Sequence, residues 1–145
     1  MDETYEAVEI GQVHEYGTCE VTREEIVAFA EQYDPQPFHV DPEAARESMF
    51  GGLVASGWHT CAMTMRLLVD NYLNESGGLG SPGIESLRFP NPVYPGDALS
   101  VRTEHTAKET WDESRGVAYI DVTTHNQDDE MVLTMEAMLL YPREG

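Results

Sequence analysis

Two side chains in the stretch YDPQPFHVDPEAA, residues 33–45, are equipped to move a proton: the carboxyl of Asp34 and the imidazole of His39. Pro35 and Pro37 fix their own φ and restrict Asp34 and Gln36, so little conformational entropy is lost in holding the pair in one geometry. Acid–base catalysis asks for such preorganisation, since a misplacement of about 1 Å can cost about a hundredfold in rate. Asp34 is expected at the C-terminal end of a helix, and His39 in a segment that is neither helix nor regular strand. The partial negative charge of a helix end disfavours an ionised carboxyl and favours a protonated imidazole, drawing both toward useful proton-transfer strength. On local pattern alone an alternative stays open, that the two side chains only hydrogen-bond a turn.

A second stretch, GGLVASGWHT (residues 51–60), leads through small residues into a helix start at Gly57. A helix N-terminus offers unpaired N–H groups and a positive dipole end, suited to a developing oxyanion. Gly57 has no side chain to keep a carbonyl oxygen from its amide. Ser56 is a good N-cap, and both residues are candidate substrate-binding positions. His59 is read as a hydrogen-bonded structural histidine. His14, His105 and His125 are scattered and give no metal-ligand spacing.

The elements that must carry these residues follow from periodicity. Thr22 with Glu25 three residues on is a capping-box pattern, and Ile26, Phe29, Ala30 and Tyr33 then form one apolar helical face. Pro35 ends that helix. A short helix restarts with Asp41 as N-cap and Pro42 at its first position. GWHTCAMTMRLLVDNYL predicts a long helix with a stripe of Trp58, Cys61, Ala62, Met65, Leu68, Val69 and Tyr72, widened by Met63 and Leu67, buried at the centre of the domain. The remainder reads as strands. IESLR, a proline-broken bend, a longer alternating run to residue 111, RGVAYIDVTTHN and EMVLTMEAMLLYP are separated by turn-like DESRG and NQDDE. Such short connections predict antiparallel hairpins. The class is therefore α+β: one domain over residues 1–145, an antiparallel sheet packed around a long helix.

Charge narrows the partners. Asp and Glu number 27 against 8 Lys and Arg, a net −19, and Lys108 is the single lysine. Such a surface repels nucleic acid and anionic membrane, so neither is expected as a partner. Dispersed carboxylates with almost no lysine suit a cytoplasm at molar salt, and a halophilic, cytoplasmic protein is the expectation. No apolar run is long enough to span a membrane, and MDETYEAVEI has neither the basic nor the apolar region of a secretory signal. Cys19 and Cys61 read as two buried thiols.

The segment YDPQPFHVDPEAARESMFGGLVASGWHT resembles the signature of the MaoC-like dehydratases, the hot-dog-fold family that includes the (R)-specific enoyl-CoA hydratases, and LRFPNPVYPGD resembles that family's later strand-and-bend element. The resemblance implies a long helix wrapped by a curved antiparallel sheet. It implies that Asp34 and His39 are the catalytic pair holding one water, and that Gly57 is the oxyanion donor. The implied reaction adds that water across a trans-2-enoyl thioester of CoA or an acyl carrier, giving the (R)-3-hydroxyacyl thioester, with no metal or redox cofactor and with CoA arriving as part of the substrate. It further implies a homodimer or larger assembly. The alternatives are an acyl-CoA thioesterase and a non-catalytic acyl-thioester-binding subunit. Arg66, Arg88 and Arg102 are candidates for the CoA phosphates. Two positions depart from the best characterised hydratases, which carry Asn where this chain has Gln36 and tend to carry His where it has Ser56. Ala62, where some relatives have serine, points to a different pocket wall.

Overall fold

The computed structural model describes residues 3–144. Strand β1 (Val13–Glu20) opens the sheet, with half-buried His14, Tyr16 and Cys19 set between exposed positions. Helices α1 (Arg23–Tyr33), α2 (Pro37–Val40), α3 (Pro42–Arg46) and α4 (Gly57–Asn71) follow, and then strands β2 (Ile84–Arg88), β3 (Ala98–Thr110), β4 (Arg115–His125) and β5 (Met131–Pro142). The result is α+β, with one five-stranded antiparallel sheet in the order β1-β3-β4-β5-β2.

Strands β3, β4 and β5 form the expected meander. Strand β2 does not pair with β3, its successor in the chain; it pairs with β5 at the far edge. Pro90, Pro92 and Pro95 lack the N–H groups a ladder continuing past β2 would need, and residues 89–97 cross the sheet end. There the Asn91 side-chain amide donates to the Met131 carbonyl at 2.9 Å, and the Tyr94 hydroxyl to the Phe50 carbonyl at 2.8 Å.

Side chains alternate along β3, with Leu99, Val101, Thr103 and His105 buried between outward neighbours. They face α4 in two apolar clusters. Met63 joins Val21, Ile26, Ala45, Leu53, Val93, Leu99 and Val132 near the start of α4. Leu67 and Leu68 join Val101, Ile120, Val122 and Tyr141 toward its end. Each such Leu, Ile or Val contributes roughly 1.5–3 kcal/mol by leaving water. A hydrogen bond of 2.7 Å between the Thr64 and Thr124 hydroxyls locks the middle of α4 to β4.

The buried face of α4 is therefore His59, Thr60, Met63, Thr64, Leu67 and Leu68. The predicted stripe holds only in part: Leu68, with Met63 and Leu67, is buried as expected, but Trp58 is 63% exposed and Met65 48%. The helix is apolar on two sides, and small polar threonines, not the largest apolar residues, fit closest to the sheet. Tyr33 is likewise exposed rather than packed. Cys19 and Cys61 are free and half-buried, not fully buried, and burial pushes both thiols up in pKa.

Candidate active site

Asp34 caps the C-terminus of α1, its N–H donating to the Ala30 carbonyl at 2.7 Å. That helix starts where Thr22 accepts from the Glu25 N–H and returns its hydroxyl proton to the Glu25 carboxylate at 2.8 Å. Pro35 forbids another turn. The chain tightens around it, the Gln36 N–H reaching the Asp34 carbonyl at 2.8 Å. Pro37 then takes the first position of α2, so His39 sits on a single helical turn rather than in the irregular segment expected from two neighbouring prolines. The expected restart at Asp41 and Pro42 is present as α3, with Asp41 accepting from the Glu43 N–H at 3.0 Å.

This corner buries His39 to 6% exposure. Its ring is oriented by the extended run before α4: Nδ1 lies 2.7 Å from the Val54 carbonyl. A carbonyl only accepts, so Nδ1 carries a proton, and in the neutral ring Nε2 keeps its lone pair. Nε2 lies 3.3 Å from Asp34 Oδ2. The Ser56 hydroxyl donates to that same oxygen at 2.7 Å, and the Gln36 side-chain amide donates to Oδ1 at 2.7 Å.

Burial alone pushes the Asp34 carboxyl up. The hydrogen bonds from Ser56 and Gln36 and the charge of His39 outweigh it and hold the group below the ordinary carboxylate value. The expected upward pull of the helix end on this carboxyl is thus not met, because the two close donors and His39 hold it down. Ser56 is the N-cap of α4, its hydroxyl accepting from the Trp58 N–H at 3.2 Å. Gly57 supplies the first amide of the helix, which has no intrahelical acceptor. A Cβ on Gly57 would lie 2.6 Å from the ring of Phe89.

Asp34, His39, Ser56 and Gly57 line one cavity of about 460 Å³. The structure thus brings together all four residues singled out in the sequence. Its remaining wall is apolar: Phe38, Phe50, Val93 and Val132 inside, and the exposed Met49, Trp58 and Phe89 at the mouth. Sequence reasoning missed Phe89 and Trp58 as wall residues and Gln36 as a donor to Asp34. The bend LRFPNPVYPGD was the signal for Phe89. The carboxylate, imidazole and free amide can together hold a water, exchange its proton and steady negative charge on a carbonyl oxygen.

The family model described as "MaoC like domain" matches residues 6–126. The chain belongs to the MaoC-like dehydratase family. Among solved structures, the MaoC-like dehydratase of Rhodospirillum rubrum is 40% identical, with a TM-score of 0.90 over 99% of each chain. The (R)-hydratase PhaJ1 of Pseudomonas aeruginosa is 29% identical with a TM-score of 0.74, over 97% of this chain and 86% of that one. The uncharacterised protein YdeM of Bacillus subtilis is 31% identical across 92% of this chain and 95% of its own. The 3-hydroxyacyl-thioester dehydratase Z of Mycobacterium tuberculosis is 37% identical over 54% of each chain. The fold is accordingly the hot-dog fold of this family, α4 being the helix its sheet wraps.

Other sequence candidates lie apart from the cavity. His59 is buried and stacks on Phe29 at 4.7 Å, but its Nδ1 has no hydrogen-bond partner, contrary to expectation. Ala62 is exposed and does not line the cavity. Arg66 pairs with Asp70 and Arg102 with Glu104. Arg88 is exposed on β2 and adjoins Phe89. Among the described residues, no group of three His, Cys, Asp or Glu could hold a metal ion, and no helix is long and apolar enough to cross a membrane.

Proposed function

We propose that this chain is a hydro-lyase that adds water reversibly across the double bond of a trans-2-enoyl-CoA or acyl-carrier thioester, giving the (R)-3-hydroxyacyl thioester. The observation that carries the reading is the Asp34–His39 pair, 3.3 Å apart, at the start of a helix whose first amide is Gly57. The lone pair on Nε2 takes a proton from a water that Asp34 orients, and the water oxygen adds to C3. The Gly57 N–H donates a hydrogen bond to the enolate-like thioester oxygen, where the helix dipole is also favourable. Family membership and the likeness to a solved (R)-hydratase support the reaction class and its stereochemistry. The scheme needs no metal or redox cofactor, and CoA enters only as substrate. Arg88, exposed and adjacent in sequence to the cavity residue Phe89, is the arginine this reading assigns to the CoA phosphates.

The test is loss of enoyl absorbance on crotonyl-CoA, with free thiol assayed in parallel. Wild type should consume the enoyl group without releasing thiol. Asp34→Asn and His39→Gln should each lower kcat at least about a hundredfold while melting cooperatively. Thiol release instead would reassign the chain as a thioesterase, and binding of a saturated acyl-CoA without any turnover would make it a binding subunit.

The same reading includes a homodimer or larger assembly in the cytoplasm. Strand β2 is an edge with unpaired backbone groups, and beside it α4 presents Trp58 and Met65 to solvent. Sedimentation should give at least twice the 16.2 kDa chain mass. A monomer at micromolar concentration would refute the assembly.

A further inference from the structure

The Asp34 carboxylate is gripped by two neutral donors, one on each oxygen. The Ser56 side chain, fully buried, accepts the Trp58 N–H at 3.2 Å and spends its one hydroxyl proton on Asp34 Oδ2 at 2.7 Å. That leaves no hydroxyl proton for a substrate. Gln36 approaches from the opposite side. Its side-chain amide holds Oδ1 at 2.7 Å, and its backbone N–H is tied to the Asp34 carbonyl at 2.8 Å around Pro35. His39 is the chargeable side chain facing the carboxylate, and its far nitrogen is committed to the Val54 carbonyl.

A free carboxyl rotor turns easily about its last torsion. Beside an imidazolium it would close on Nε2 as a direct charge-assisted pair and leave no room for water. Donors on both oxygens fix the rotor and keep the carboxylate in place with the water site open.

We propose that Ser56 and Gln36 are positioning residues that clamp Asp34 as a fixed anchor for the water, so that His39 Nε2 alone carries the transferred proton. This rests on the hydratase reading. In the hydration direction the water oxygen bonds to C3, and one water proton passes to Nε2. The π pair of the C2–C3 double bond moves toward the thioester carbonyl to form the enolate. The imidazolium then returns that proton to C2, restoring the carbonyl and the neutral ring. Asp34 gains no proton at any stage, and the net change is one water added. Gln36 stands where the resemblance expects asparagine and Ser56 where it expects histidine, so the two departures from the family pattern meet on one carboxylate.

The experiment compares Ser56→Gly, Ser56→Thr and Gln36→Ala by steady-state kinetics on crotonyl-CoA and by carbon-detected NMR titration of the Asp34 carboxyl. Glycine remains an acceptable N-cap, so Ser56→Gly removes the clamp more than the helix. Gln36 is exposed, and Gln36→Ala leaves the fold alone. The expected result is a fall in kcat of about thirtyfold for Ser56→Gly and about tenfold for Gln36→Ala, with KM within about threefold. Ser56→Thr should recover to within about threefold of wild type. The Asp34 titration should move upward in both weakened variants. A loss confined to KM, or kcat kept within about twofold in both variants, overturns the proposal. If wild type hydrates no enoyl thioester, the reaction assignment falls, but the titration still decides the clamp. An Asp34 midpoint unmoved in both variants refutes it by itself.

Discussion

Gly57 meets a steric demand as well as a chemical one. The Cβ it lacks would lie 2.6 Å from Cε2 of Phe89 and 2.8 Å from its Cζ. Phe89 is 45% exposed, so its ring can swing away at little cost in stability. It would swing within the mouth of the cavity, where an acyl thioester has to pass. Gly57→Ala is therefore expected to lower kcat/KM for an enoyl thioester at least about tenfold while changing stability by no more than about 1 kcal/mol. Adding Phe89→Ala to that variant should restore much of the loss, because the obstacle is the displaced ring and not the methyl group. A Gly57→Ala enzyme with unchanged kinetics would mean that the Phe89 ring has another way out. The sequence made Gly57 conspicuous by its place before a helix, but it could not name Phe89, which stands 32 residues away and reaches the amide only because residues 89–97 cross the sheet end.

At the scale of elements, the strands were legible because alternation and proline-marked bends are local, and β3, β4 and β5 fall where that pattern put them. The partner of β2 was not legible, since pairing to β5 is decided by the path of the crossing segment and not by β2 itself. Helix α4 was recognised but its buried face only in part, because its apolar residues occupy both the sheet-facing and the outward side. Burial of His59 on that helix carries a consequence for stability. Burial depresses its pKa, outweighing the charge of Glu25, and burial does the same at His105. An imidazole with a folded pKa below its unfolded value of 6.5 binds protons more readily in the unfolded chain, so stability falls as pH drops through that value. His59→Phe keeps the stack on Phe29 and removes a buried nitrogen that has no partner. Its expected effect is a gain of about 1–2 kcal/mol at pH 7 and a shallower loss of stability between pH 7 and 5, read from urea unfolding. A destabilised variant, or one with the wild-type pH slope, would show that the ring makes a polar contact the fold depends on.

For the molecule as a whole, the dominant long-range term is the net charge of −19. Among the described residues the ion pairs Arg66–Asp70, Arg102–Glu104 and Arg115–Asp112 lie in solvent, which screens them, so they add little stability. Against them stands the mutual repulsion of carboxylates that outnumber cations 27 to 8. Salt acts on both, weakening the few attractions and the many repulsions together. Between 0.1 M and 1 M the screening length contracts from about 10 Å to about 3 Å. The repulsive sum has far more members, so its loss is the larger change and the fold should tighten. Melting followed in KCl should therefore show Tm rising steadily from 0.1 M to 2 M, with most of the gain below 1 M, where screening changes fastest. Potassium sulfate would add a preferential-exclusion effect of its own, so the comparison salt is CsCl at matched ionic strength. An equal rise in both chlorides assigns the gain to screening. A Tm that stays flat or falls across the KCl series would mean that the acidic surface is not what limits this fold, and the halophilic reading of its composition would go with it.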